Sequence, residues 1–364
     1  MAAPATTAVD ARPAANSLTS GQLPGWMPWT LLAIGLVVSF SVFAILNFGH
    51  GLASFNIVGA LLVGYLLFAI ALVALSRVVE TGRRAVDRLA TTLVALAFVI
   101  ALLPLVSLLY TVVIDGIQRF DAEFFSSSMR NIVGDGGGAV HAIWGTLLIT
   151  LAATVISVPV GLLTSIYLVE YGRGRLARAI TFFVDVMTGI PSIVAGLFIV
   201  ALFTLVAGPG SYMGVMGSLA LSVLMIPVVV RSSEEMLRLV PNELREASYA
   251  LGVPKWLTIA KVVLPTAIAG ITTGVMLSIA RVIGETAPLL LTAGFTTSLN
   301  VNVFDQPMMT LPVFVYSQFA NPGTNIDAAL SRAWAGALTL IIIVMALNLI
   351  ARIIAKKFAP KFGR

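Results

Sequence analysis

Arg281 and Glu285 are the two charged residues in an otherwise apolar stretch that spans residues 262–290. A charged side chain near the centre of a membrane-spanning helix costs about 2.5–3.5 kcal/mol on insertion scales, so such residues tend to mark a site or a pathway. A guanidinium attracts an oxyanion, and a carboxylate four residues later would weaken that attraction enough for release. The i,i+4 spacing therefore predicts either the lining of an anion passage or a structural ion pair buried between helices.

The spacing of the neighbouring residues predicts which face of the helix carries this pair. Gly270, Gly274, Ser278, Arg281 and Glu285 fall within an arc of about 80° on one helix. The Gly270-x-x-x-Gly274 pattern favours close packing against another helix. We therefore expect Arg281 to face protein rather than lipid, about 24 Å along the helix from Pro265 at 1.5 Å per residue.

The sequence contains few other candidate functional residues. Arg231 is a second candidate pathway residue, although an ordinary basic residue at the membrane interface would look the same. The chain has no cysteine and two histidines, so it offers no thiolate metal site and little for a histidine-centred triad. Because the apolar runs hold no paired acids or histidine clusters either, we predict no metal site and no catalytic residues, and we expect that the chain is not an enzyme.

The composition is that of a membrane protein. Of the 364 residues, 59% are hydrophobic and 10% are charged, and the mean hydropathy is +1.01; soluble chains carry roughly 25% charged residues. No charged residue lies between Arg12 and Arg77. These values exclude a soluble globular enzyme and predict an all-α polytopic membrane protein.

The hydropathy pattern predicts about eight membrane-spanning helices. Residues 1–25 are expected to form a disordered cytoplasmic tail, and 356–364 a basic cytoplasmic tail. The first two helices form an additional N-terminal hairpin, 26–80, before a core at 85–355. The predicted spans are 27–46, 56–76, 89–114, 142–169, 179–207, 214–230, 263–290 and 333–354.

The basic residues predict the orientation of these spans. With the N-terminus inside, eighteen of the twenty-two Lys and Arg residues fall in inside segments and three in outside segments. This asymmetry places both termini in the cytoplasm. The outside segment 285–332 contains four prolines, and we expect it to form a short helix and loops that rest at the membrane interface.

The inside segment 232–262 is the most charged part of the chain. In it, Pro241 suits the first position of a short helix and Gly252 suits the position just after the helix ends. A second helix is expected to begin near Pro254 and to run into the next span. One face of the first helix would hold apolar and small side chains, so an interfacial amphipathic connector is an open alternative to a docking loop. The residues of that face are Leu244, Ala247, Ser248 and Leu251.

The same segment resembles the EAA loop of ABC-importer permeases. Glu246-Ala247-Ser248 is followed after three residues by Gly252 and after nine more by Val262-Val263-Leu264-Pro265. Two positions depart mildly from the pattern, namely Ser248 in place of alanine and Val262 in place of isoleucine. The resemblance implies docking of a separate ATPase subunit, which agrees with the absence of a G-x-x-x-x-G-K-[ST] phosphate loop. The implied docking residues are Glu246, Ala247, Gly252, Leu264 and Pro265.

A longer set of motifs resembles the PstA family, the permease subunits of phosphate ABC importers. These motifs lie at 136–138, 166–173, 191–198, 227–234, 280–290 and 330–336. The resemblance covers about 85–355 and implies a six-helix type I permease core in a bacterial cell membrane, forming half of the pathway for inorganic phosphate. It also implies the other subunits: a PstC-like permease, a PstB-like ATPase dimer that binds the ATP, and a PstS-like extracytoplasmic phosphate-binding protein.

Two other functions are alternatives. A sulfate or molybdate permease of the same type would share most of these features, although the stretch from Gly284 to Pro288 favours phosphate. A secondary transporter would normally show inverted repeats and several intramembrane charges. No cofactor is expected on the chain itself.

Overall fold

A computed structural model describes residues 21–47 and 56–358, and all regular secondary structure in these residues is helical. Within these described residues, seven helices are long and apolar enough to cross a membrane, and the number is eight if one bent helix pair counts as a single span. The predicted all-α membrane fold is therefore confirmed.

A first compact unit of the chain ends at Ser107. It contains α1 (Met27–Leu46), α2 (Ile57–Val79) and most of α3 (Gly82–Gly116). Glycines bring α1 and α2 into backbone contact, because a Cβ atom at Gly35 would lie 2.7 Å from the carbonyl oxygen of Gly64.

The last residues of the predicted disordered tail, 1–25, are ordered in the structure. Residues 1–20 lie outside the described residues. Leu23 is buried against α2, and its N–H donates to Glu80 Oε1 at 3.1 Å. A single apolar side chain and one backbone hydrogen bond thus hold the chain just before α1, which composition alone did not indicate.

A second compact unit begins at Leu108, so the division of the chain lies inside α3 rather than between the predicted hairpin 26–80 and the predicted core from residue 85. Short turns of other helical types lie at Ile117–Arg119, Tyr167–Tyr171 and Ile259–Val263, the last two with π-helical geometry. The remaining helices are α4 (Ala122–Ser126), α5 (Val140–Ile166), α6 (Gly174–Thr188), α7 (Ser192–Ala207), α8 (Gly214–Arg238), α9 (Asn242–Ala250), α10 (Lys255–Thr258), α11 (Leu264–Val282), α12 (Ala287–Thr292), α13 (Leu311–Ala320) and α14 (Ile326–Phe358).

Helix α8 is the centre of this second unit. In its most apolar window, 67% of the residues are buried, the largest share among the span candidates in the described residues. Small residues on α5 allow the close approach: a Cβ atom at Gly161 would lie 2.7 Å from Val229 Cγ1, and Ser222 Oγ donates to the carbonyl of Ala153 at 3.4 Å. Helix α8 is therefore a fixed support for the helices around it.

The predicted fifth span, 179–207, is not one helix. It is divided into α6 and α7, whose axes differ by 110° across a break at Gly189, Ile190 and Pro191. Proline lacks the N–H that a continuous helix would use and its ring clashes with the preceding turn. Helix α6 begins at Gly174, is amphipathic along its length and has one fully buried residue, Val184.

The predicted seventh span, 263–290, is wrong at its end, whereas the short helix that was expected to begin near Pro254 does run into it. The helical run starts at Lys255 and stops at Val282. The stop has a tertiary cause: Pro288 is buried in α12 against α7, where a Cβ atom at Gly196 would lie 2.8 Å from the Cα atom of Pro288. A helix continued through Pro288 would also clash with the carbonyl of Gly284.

The predicted interfacial segment 285–332 is partly buried. Its helices α12 and α13 each have a buried face, on which Leu311, Val313 and Phe314 are completely inaccessible, whereas Phe304 and Phe319 are exposed. The backbone N–H of Leu311 donates to Thr146 Oγ1 on α5 at 2.7 Å. The two short helices therefore pack into the helix bundle, while residues 295–307 of the segment are not buried.

Candidate functional site

Helix α11 carries Arg281, one of the candidate pathway residues, and is positioned by α8. A Cβ atom at Gly274 would lie 2.4 Å from Ser232 Oγ, and one at Gly270 would lie 2.2 Å from the sulfur of Met236. Because a larger side chain at either glycine would push the helices apart, this pair fixes the distance between them. The close-packing prediction for Gly270 and Gly274 is confirmed, and Ser278 continues the buried face.

Arg281 and Glu285 do not form the ion pair that was one of the two alternatives predicted for them. Arg281 lies in the last turn of α11 and is exposed in this chain. Glu285 lies three residues beyond the helix end, where its N–H donates to the carbonyl of Val282 at 3.1 Å. Within the described part of the chain, neither side chain has an ion-pair partner within 4.0 Å. The predicted i,i+4 ion pair is therefore absent, because the helix ends before Glu285.

Arg231, the second candidate, lies in a charged cluster near the end of α8. Its guanidinium donates to Asp185 of α6 and, at 2.8 Å, to Glu234 one turn along α8. Glu234 is buried and also accepts from Arg238 at 2.6 Å. The positive charge of Arg231 is thus compensated by two carboxylates, and its side chain connects α6 to α8. Asp185 lies near the end of α6.

The docking loop has the two-helix form that its sequence predicts. Helix α9 starts at Asn242, directly after Pro241, whose ψ of 141° is not helical; the proline precedes the helix instead of occupying its first position. At the other end, Gly252 has a φ of +75°, its N–H donates to Tyr249, and the N–H of Val253 donates to Ser248. These two bonds form a Schellman motif, which confirms the predicted helix stop at Gly252.

The predicted amphipathic face of α9 is divided between two environments. Ser248 is buried and Leu244 is half-buried, whereas Ala247 and Leu251 are exposed, Leu251 at 83%. Ser248, which departs from the family pattern, exchanges a hydrogen bond of 2.8 Å with the buried Thr258 of α10. The serine hydroxyl therefore connects the two short helices.

The outer surface of the loop is apolar with an acidic margin. Trp256 is 65% exposed and lies on α10, while Leu239 at 73% precedes α9. We call Leu239, Ala247, Leu251 and Trp256, together with the exposed Glu246, the docking surface. Leu264 and Pro265 are the first two residues of α11; Leu264 is half-buried and Pro265 is exposed.

A buried ion pair, which motif and spacing did not predict, holds this loop against the end of α5. Arg245 of α9 donates from Nε and Nη2 to Glu170 Oε1 at 3.0 and 2.9 Å, and the two side chains are only 12% and 5% exposed. Arg245 also donates to the carbonyls of Leu237 and Val240 at 3.0 and 2.6 Å. All three nitrogen atoms of this guanidinium therefore donate hydrogen bonds within the protein.

Two further contacts add to this anchor. Glu170 lies in the π-helical turn after α5, a kind of distortion that is frequent at functional positions. Lys255 donates to the carbonyl of Glu170, and its ammonium lies 4.7 Å from the ring centre of Tyr171. The signal available in the sequence was that Glu170 lies inside the shared motif 166–173 and that Arg245 directly precedes Glu246 of the EAA pattern, but nothing in their spacing of 75 residues indicated a contact.

Comparisons with known proteins agree with this architecture. Residues 157–364 match the family described as binding-protein-dependent transport system inner membrane component. The chain is 49% identical over 278 residues to the phosphate transport system permease protein PstA 1 of Mycobacterium tuberculosis (strain CDC 1551 / Oshkosh), covering 75% of this chain and 89% of the relative. It is 41% identical over 274 residues to PstA of Pasteurella multocida, covering 74% and 95%.

The fold also resembles that of a solved transporter. One chain of the crystal structure of a bacterial alginate ABC transporter, in complex with its alginate pentasaccharide-bound periplasmic protein, superposes with a TM-score of 0.54 at 13% identity. The likeness covers 76% of this chain and 97% of that chain. The helices, the docking loop and the relatives together lead to one conclusion: the chain belongs to the family of binding-protein-dependent transport system inner membrane components, among its PstA-type permeases.

Proposed function

We propose that the chain is the permease subunit of an ATP-driven importer, forms half of the passage for inorganic phosphate, and presents Arg281 to the anion. The observation that carries this proposal is the environment of Arg281, which is exposed at the end of a helix and has no carboxylate within 4.0 Å among the described residues. A guanidinium whose N–H groups make no hydrogen bonds to the protein can bind phosphate oxygens in a bidentate manner. The names of its relatives support phosphate as the substrate.

Glu285 and Arg231 have lesser parts in this proposal. Glu285 is half-buried beyond the helix end, close enough in sequence to lower the local positive potential without pairing with Arg281. Arg231 is already neutralised by Asp185 and Glu234, so it attracts an anion less than Arg281 does. We assign Arg231 to the inner end of the passage, where it also joins α6 to α8.

The docking surface is proposed to bind an ATPase subunit. Its exposed leucines and tryptophan would be unusual on a water-facing loop without a partner. In this proposal Glu246, Ala247 and Gly252 contact or shape the interface, and Leu264 and Pro265 transmit its position to α11. ATP is bound and hydrolysed by the ATPase dimer, so that the permease itself carries no cofactor and no enzymatic activity.

The proposed assembly contains two more partners. A second permease subunit, PstC-like, would supply the other half of the passage opposite α11, and an extracytoplasmic phosphate-binding protein would deliver the anion. We place the chain in the bacterial cell membrane with both termini in the cytoplasm, on the strength of the asymmetry of Lys and Arg. The hairpin 26–80 is an addition to the six-helix permease core.

Transport by the reconstituted complex tests the proposal. The four kinds of subunit are placed in proteoliposomes with ATP enclosed on the ATPase side, and uptake of labelled phosphate and labelled sulfate is followed with the binding protein present. We expect ATP-dependent phosphate uptake and no sulfate uptake. Preferred sulfate or molybdate uptake would assign the chain to the alternative oxyanion permeases, and uptake driven by an ion gradient without ATP would assign it to secondary transporters.

A further inference from the structure

The first unit contains a groove of about 380 Å³ between α1, α2 and α3. Its walls are apolar along most of their length and include Trp29, Leu32, Phe68 and Val99. The hydroxyl of Tyr65 also lies in the groove but is occupied, because it donates to the carbonyl of Thr92 at 2.8 Å. The walls thus offer an apolar ligand a surface without free hydrogen-bonding groups over most of the groove.

One end of this groove is basic. Arg88 is the charged residue that lines it, and residues 77–88 hold four arginines against two acids. Along α3, the distance from Arg88 to Val99 is about 16 Å at 1.5 Å per residue. The groove therefore runs from a cationic end to a wholly apolar end over a length that suits a fatty acyl chain.

A buried carboxylate holds the arginine at that end. Glu80, with a side chain only 1% exposed, accepts from Ser76 Oγ at 2.5 Å and from Arg88 Nη2 at 3.4 Å. These donors and the N–H of Leu23 lower the pKa of Glu80 to about 2, the Ser76 hydroxyl having the largest effect. Arg84 lies 3.6 Å from the same carboxylate. The contact of Arg88 is long, and its side chain remains one-third exposed, so most of its donors are available to a ligand.

We propose that this groove is a binding site for an anionic phospholipid, with the phosphate at Arg88 and one acyl chain along the apolar walls. Charge complementarity selects this occupant. A zwitterionic lipid would gain less than an anionic one from the surplus of arginine at this end of the groove. The site is separate from Arg281 and the docking surface and does not depend on the transported substrate.

Lipid binding to the full-length chain, purified in detergent with its copurifying subunits, tests the site. Native mass spectrometry measures the apparent Kd for added phosphatidylglycerol and phosphatidylcholine. Arg88→Gln removes the charge, and Ala95→Trp fills the groove without changing any charge. The matched controls are Arg83→Gln, an exposed arginine outside the groove, and Leu93→Trp, an exposed position on α3 that does not line it.

We expect phosphatidylglycerol to bind more tightly than phosphatidylcholine and Arg88→Gln to weaken it about fivefold, as the loss of one basic residue near an anionic headgroup implies. Ala95→Trp should weaken both lipids, while both controls stay close to the unchanged protein. Equal affinity for the two lipids, or unchanged binding in Ala95→Trp, would overturn the proposal. A melting temperature for each variant confirms that it is folded, and excess inorganic phosphate should not compete.

Discussion

Arg245 and Arg281 are separated by 36 positions and have opposite surroundings. The side chain of Arg245 is only 12% exposed, pairs with Glu170 and donates to the backbone carbonyls of Leu237, at the end of α8, and Val240. Arg281 is exposed and, among the described residues, has no ion-pair partner. The first arginine is fully used in holding the docking loop to α5, whereas the second has its whole donor capacity available for a ligand. The same side chain type therefore serves structure in one region and, in our proposal, substrate binding in the other.

The largest effect on structure is expected from breaking the buried pair. Arg245→Ala leaves Glu170 as an unpaired buried carboxylate, which typically costs about 3–5 kcal/mol. We expect a strong drop in the melting temperature of the purified chain and loss of ATPase copurification. Arg238→Ala is the matched control, because Arg238 is 67% exposed and pairs with one acid. An equal drop in both variants would show that Arg245 is not an anchor.

A smaller effect is expected from Gly252→Val. With a φ of +75° at this position, a residue other than glycine costs about 1–2 kcal/mol in left-handed geometry, and a β-branched one is at the upper end. The open space around Gly252 means that the effect is conformational and not steric. ATPase copurification should weaken while membrane insertion stays normal. Gly25→Val, also in open space but without positive φ, should leave copurification unchanged; an equal loss there would contradict the account.

Ser248→Ala tests the link between α9 and α10 and restores the residue of the family pattern. It removes one hydrogen bond and leaves the buried Thr258 hydroxyl with only a long contact to Pro254, at a cost of about 1 kcal/mol. Amide hydrogen exchange in 242–258 should become faster. Adding Thr258→Val should reverse much of this change, because both polar partners are then gone; continued fast exchange in the double variant would argue against the link.

Glu80 offers an effect on stability that has a distinct dependence on acid pH. Its pKa is about 2 in the folded chain, below its ordinary value of 4.5, so its contribution to stability is complete above pH 4.5 and decreases as pH falls toward 2. The difference in melting temperature between the unchanged chain and Glu80→Gln should therefore shrink between about pH 4.5 and pH 2. A difference that is independent of pH in that range would contradict the buried, hydrogen-bonded carboxylate.

Composition and local chemistry were sufficient to predict much of this molecule. Long apolar runs cannot be accommodated outside a membrane, so most spans were identifiable, and the stop at Gly252 follows from one residue's backbone freedom. The sequence pattern failed where distant parts of the chain decide the local structure. The end of α11 depends on Pro288 packing against Gly196, which lies 92 positions earlier in the chain.

The same distinction between local and distant causes applies to the candidate site. Arg281 was identifiable because a charge in an apolar run is costly wherever the chain folds. The absence of an ion pair at Arg281 could not be predicted from the sequence, because an i,i+4 spacing implies contact only if the helix continues. The pair formed by Arg245 and Glu170 was equally hidden, because two charged residues 75 positions apart carry no mutual signal until α5 and α9 are placed together.

Phosphate uptake by Arg281 and Glu285 variants in cells tests the role of the exposed arginine most directly. With membrane levels checked by immunoblot and ATPase copurification confirmed, Arg281→Gln should reduce uptake by a factor of about ten or more, as expected for the loss of a charge-assisted bidentate contact. Arg281→Lys should retain part of the uptake, because a point charge does not reproduce the planar fork. The double variant Arg281→Gln, Glu285→Gln should be as impaired as Arg281→Gln alone. Near-normal uptake in the double variant would contradict the account and leave Arg281 as a structural residue.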